Sequence, residues 1–77
     1  MSDVEKRVKE VTARTLKVDV ARILHDARFV EDLGAESIQS VELVAAFEEE
    51  FDIEMDEEEA LDVKTVGKAI EFIEKTL

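Results

Sequence analysis

Between Phe29 and Asp62 the chain carries fourteen acidic side chains and not one basic side chain. A compact segment of a single sign repels itself. Something must offset that cost: either the acids form a well-solvated face, or the one-sided charge serves a function. The flanks differ: residues 1–28 hold seven basic and five acidic side chains, and residues 63–77 hold three basic and two acidic. The net charge of −11 makes nucleic acid and anionic membrane surfaces poor partners and points to basic proteins. A length of 77 residues fits one domain, 1–77. There is no cysteine, which removes disulfides, thiol catalysis and Cys-ligated zinc and suits a cytoplasmic setting. The longest run without a charge, as in Leu43–Phe47, is five residues, far short of a membrane span.

The absence of proline, with glycine only at positions 34 and 67, favours helices. Ser2-x-x-Glu5 reads as a capping box, and Val4, Val8, Val11 and Leu16 follow at helical spacing, so a first helix is expected over Asp3–Leu16. A long connection runs from Lys17 to Glu36, with Ile23, Phe29, Val30 and Leu33 expected to pin it down. Leu33-Gly34-Ala35 breaks the chain before a second helix, Ser37–Phe51. A short third helix is expected over Asp56–Leu61. Thr65 can cap the last helix, which has Val66, Ala69, Ile70, Ile73 and Leu77 on one face; Gly67 in its first turn reads as a mild weakness. The expected class is all-α, a four-helix bundle with a long loop between helices one and two.

On a wheel of about 100° per residue, the second helix shows two apolar stripes. Ser40, Leu43, Val44, Phe47 and Phe51 form the expected core face. Ile38, Val41 and Ala45 form another, shared with Ser37 and edged by Glu42, Glu48 and Glu49. That second stripe is either buried under the long loop or a docking surface whose few apolar contacts are ringed by steering charge. Ser37 is likewise open to two readings. It can cap the helix, or it can be a covalent attachment point beside the second stripe.

Enzymatic chemistry finds little support. A serine nucleophile needs a base and an oxyanion site, and the single histidine, His25, reads as a partly exposed loop residue. No metal site is expected. A calcium loop begun at Asp52 would need glycine at position six and glutamate at position twelve, where Glu57 and Val63 stand.

The run Phe29-Val30-Glu31-Asp32-Leu33-Gly34-Ala35-Glu36-Ser37-Ile38, followed by Val41-Glu42-Leu43-Val44 and Glu48-Glu49-Glu50-Phe51-Asp52, resembles the acyl carrier proteins of fatty-acid synthesis. The likeness extends over nearly the whole chain. It implies a non-enzymatic carrier. Ser37 would hold phosphopantetheine, transferred from coenzyme A by a phosphopantetheinyl transferase, and the distal thiol would carry an acyl group as a thioester. The resemblance also implies partner enzymes that transfer acyl groups and elongate chains, bringing basic docking surfaces to the second helix. Glu42, Glu48 and Glu49 would be steering carboxylates and Ile38, Val41 and Ala45 apolar contacts, with Glu36, Met55 and Glu57 nearby. Phe47, Ile53 and Ile70 would shelter the acyl chain. A monomer is expected. The alternatives are an unmodified acidic interaction module and a carrier in a specialised polyketide-type pathway.

The sequence departs from the family pattern at several positions. Glu36 replaces the usual Asp before the serine and Ile38 the usual Leu after it. Gln39 stands where many members have an acid. Ala45 is small where Met is common, Phe47 is bulky where Leu is common, and Lys17 follows the first helix where Gly often does. These changes bear on the acyl chain and the pathway more than on the carrier role.

Overall fold

The computed structural model describes residues 3–77, in which four α-helices follow one another: α1 Asp3–Leu16, α2 Ser37–Phe51, α3 Glu57–Leu61 and α4 Val66–Thr76. The all-α bundle is as expected, and α1 and α2 have the expected bounds. The capping box at Ser2 lies outside the described residues. Val8 and Val11 of α1 are buried. Beside them Thr12 donates its hydroxyl to the Val8 carbonyl at 2.8 Å, so the polar side chain enters the core with its hydrogen bond satisfied. The core is completed by Leu43, Phe47 and Phe51 of α2 and by Val66, Ala69, Ile70 and Ile73 of α4.

Both α1 and α2 are followed by a left-handed residue that is not glycine. Lys17 has φ 58° and Asp52 has φ 54°. In each case the following amide reaches back to close the last turn, Val18 N–H to Ala13 O and Ile53 N–H to Glu48 O, both at 3.1 Å. This is the helix stop that glycine makes without strain. Lys17 and Asp52 adopt it at a backbone cost that glycine would not incur.

The long connection is a structured loop. Asp19 caps a single 3-10 turn over Val20–Arg22 by accepting the Ala21 N–H. Ile23, Ala27, Phe29, Leu33 and Ala35 are buried. Val30 is not: it is 53% exposed, contrary to expectation. Its neighbour Phe29 takes the inward position, and the Val30 carbonyl instead accepts the Gly34 N–H in a turn. The loop is laced to the α3–α4 connection by Phe29 N–H to Lys64 O, Val66 N–H to Ala27 O and Gly67 N–H to His25 O. The last contact is 2.7 Å, and a Cβ on Gly67 would lie 2.8 Å from the His25 ring. Gly67 is therefore required by the close passage of the loop, where the sequence suggested only a weakness. His25 is an exposed loop residue, with Nδ1 3.9 Å from Glu5.

Asp56 accepts the amides of Glu58 and Glu59, so it caps α3, which begins one residue later than expected. Thr65 caps α4 as expected, accepting the Lys68 N–H at 3.2 Å. Leu77 does not join the buried face of α4. It follows the helix end and is 62% exposed.

Candidate functional site

Ser37 is the first residue of α2, and the cap belongs to the residue before it. Glu36 is extended (φ −85°, ψ 166°), and its own amide donates to the Gln39 side-chain oxygen at 2.9 Å. Gln39, one of the departures from the family pattern, thus satisfies the entry to the helix. Ser37 is left with an exposed hydroxyl that makes no hydrogen bond among the described residues. The capping reading of Ser37 is set aside, because Glu36 occupies the cap position and Ser37 is already the first helical residue.

The approach to Ser37 is held firmly. Arg28 donates its amide to Asp32 at 2.8 Å and its guanidinium to both Asp32 oxygens at 3.1 and 3.2 Å. The Arg28 hydrogen bonds, side chain first and then backbone, hold the Asp32 carboxyl below its ordinary range. The same pair raises Arg28. Leu33 and Ala35 anchor the turn in the core, and between them Gly34 reverses the chain at φ 73°. A glycine suits this left-handed position. A free hydroxyl is thereby presented on a rigid shoulder at the positive end of a fifteen-residue helix.

Beside Ser37 lies a cleft of about 220 Å³ with apolar walls that include Leu43, Val44, Phe47, Met55, Val63 and Ala69. The exposed members of its lining, Val30, Glu31, Ser37, Leu61 and Lys64, form the rim. Of the three residues expected to shelter a chain, Phe47 lines this cleft. Ile53 and Ile70 do not: Ile70 is buried in the core, and Ile53 packs half-buried against it.

The second stripe of α2 faces solvent. Ile38 is 67% and Val41 58% exposed, so the loop does not bury them. Ala45, Glu42 and Glu49 are exposed alongside, as is Glu57 at the start of α3. Glu48 differs from its neighbours. It is half-buried and accepts the Met55 N–H at 2.9 Å, tying down the connection between α2 and α3. Of the fourteen acids between Phe29 and Asp62, Glu31 and Asp32 pair with Arg28, and Glu50 pairs with Arg7 and Arg14. The others have no ion pair among the described residues.

Sequence reasoning missed Lys64 and Leu61 on the rim and the capping role of Gln39. The Glu36-x-x-Gln39 spacing was a visible signal for the cap. Nothing local marked Lys64, which reaches the rim only because the loop docks onto the α3–α4 connection.

A family profile for the phosphopantetheine attachment site matches residues 6–73. Acyl carrier proteins from Buchnera aphidicola subsp. Acyrthosiphon pisum, strains Tuc7 and APS, are each 47% identical to this chain over 75 residues, covering 97% of it and 94% of their own length.

Proposed function

Given that the chain belongs to the acyl carrier protein family, a family of carriers and not catalysts whose prosthetic group is phosphopantetheine, we propose that Ser37 is the attachment point and that α2 is the docking face. The exposed, unengaged Ser37 hydroxyl beside an apolar cleft carries this reading. A modified oxygen there meets no steric barrier and breaks no helix cap, because Glu36 and Gln39 close the entry to α2. The first-turn amides and the helix dipole favour an anion at this position. Phosphopantetheine, when bound, supplies a terminal thiol on which an acyl chain rides as a thioester.

The chain's own residues do the rest. Ile38, Val41 and Ala45 offer a small apolar contact, and Glu42 and Glu49 steer basic enzyme surfaces toward it, with Glu36, Glu48, Met55 and Glu57 at its edges. Such steering speeds encounter without requiring a tight interface, which suits a shuttle that must also leave. The cleft walled by Phe47, Leu43 and Met55 shelters the chain, with Ile70 and Ile53 supporting the core behind its walls. The partners are a phosphopantetheinyl transferase and the acyl-transferring and chain-elongating enzymes of fatty-acid or related lipid biosynthesis. The proposed carrier works as a cytoplasmic monomer. No helix among the described residues is long and apolar enough to cross a membrane.

Intact mass tests this reading. Incubation with coenzyme A, magnesium and a broad-specificity phosphopantetheinyl transferase should add one phosphopantetheine, and Ser37→Ala should abolish the gain. An unchanged mass with several transferases would favour an unmodified acidic interaction module.

A further inference from the structure

Lys64 is the one cation in the lining of the cleft that Ser37 shares. The other charged rim residue, Glu31, is held by Arg28 at 3.3 Å. Lys64 is exposed and makes no ion pair among the described residues, although the segment before it is wholly acidic. Its backbone is fixed: the Lys64 carbonyl accepts the Phe29 N–H at 3.0 Å, and the neighbouring Thr65 forms an isolated bridge with Arg28. The structure thus holds an exposed lysine without an ion pair among the described residues in the lining of the same apolar cleft that Ser37 lines.

We propose that Lys64 is an anion seat for the phosphodiester carried on Ser37, and that it biases the arm to lie over the cleft. This rests on Ser37 being the attachment point. A phosphodiester at Ser37 sits among Glu31, Glu36 and Glu42, which repel it. The helix dipole offsets part of that repulsion, and a lysine on the shared rim supplies the opposite charge. With the base of the arm drawn across the rim, a short acyl chain enters the apolar walls more often, and its thioester spends less time in solvent. Lys64 acts here as a positioning residue; it touches no reacting atom.

The test uses the holo protein carrying a hexanoyl thioester, with hydroxylamine as a small neutral nucleophile. Lys64→Gln should raise the cleavage rate about two- to fivefold, the range an exposed ion pair can shift such a balance. Lys64→Arg should keep the slower rate. Lys68→Gln, on an exposed residue paired with Glu71 and lining a different groove, should leave the rate unchanged. Added salt should bring the unsubstituted carrier toward the Lys64→Gln rate. The phosphorus NMR shift should move in Lys64→Gln and not in Lys68→Gln, which a general loosening of the fold would not produce. Equal cleavage rates and equal phosphorus shifts in a fully loaded Lys64→Gln protein would overturn the seat while leaving Ser37 as the attachment point. Failure of the unsubstituted protein to gain phosphopantetheine would overturn both.

Discussion

Glu49 and Glu50 are adjacent in sequence and sit in opposite electrostatic worlds. Glu50 faces α1, where Arg7 donates to its carboxylate at 2.8 Å and also bonds its backbone carbonyl. The same guanidinium lies 4.5 Å from the centre of the Phe51 ring, and Arg14, about two turns further along α1, approaches Glu50 at 3.9 Å. Glu49 projects into solvent on the face that carries Ile38, Val41 and Glu42, and no cation lies opposite it among the described residues. One step of about 100° separates an acid that fastens the bundle from an acid left in solvent. The net charge of a segment therefore says little about what each acid does. The positions of the few cations decide it: Arg7 fastens the C-terminal end of α2 through Glu50, and Arg28 fastens the loop that leads into α2 through Glu31 and Asp32, while the outer face is left bare.

Arg7→Ala attacks the fastened side and should have the largest effect. It removes two charge-assisted hydrogen bonds and the cation–ring contact and leaves Glu50 half-buried without its main partner. A loss of about 2 kcal/mol, or roughly 10 °C in melting temperature, is expected by calorimetry. Glu49→Lys attacks the bare side. It should leave the melting temperature unchanged or slightly higher, and slow association with a basic transferase about tenfold at low salt. Stopped-flow rates should converge as salt screens charge beyond about 8 Å. A large destabilisation by Glu49→Lys would erase the contrast between the two faces.

Glu48 lies on the border and sharpens the division. Glu48→Ala should destabilise by about 1 kcal/mol in urea titrations, since the Met55 N–H loses its acceptor. Glu48→Gln keeps an acceptor oxygen and should keep most of the stability while weakening docking. If both variants destabilise alike, the negative charge of Glu48 matters to the fold as well as to partners. The smallest effect concerns Asp32, whose carboxyl is held below its ordinary range by Arg28. A lowered folded-state value means its contribution is complete above the ordinary carboxylate range and fades as pH falls through the lowered one. The stability gap between the unsubstituted protein and Asp32→Asn should accordingly be present at neutral pH and narrow in acid.

Much of this was legible in the sequence. Periodicity located α1 and α2, because both bury a face of Val, Leu and Phe at regular spacing, and α2 follows the break at Leu33-Gly34-Ala35. The second stripe of α2 was visible as a stripe, but periodicity left it open between burial under the loop and a docking surface, and only the fold shows Ile38 and Val41 exposed. What escaped were features set by contacts remote in sequence. Val30 loses its place in the core to Phe29, a choice made by the tight turn that Gly34 closes. Gly67 looked like a weak helix residue until His25 was found against it. For Ser37 the residues alone left a helix cap open beside an attachment point, because serine caps helices well in isolation; the structure gives the cap position to Glu36. Lys64 carried no local mark at all, since its position on the rim comes from the pairing of two loops.

Tandem mass spectrometry of the protein isolated from its own cells reads the chemistry of Ser37 directly. The expected spectrum assigns a phosphopantetheine, free or acylated, to the Ser37 hydroxyl and to no other residue. A population uniformly bare at Ser37, or modified only elsewhere, would contradict it.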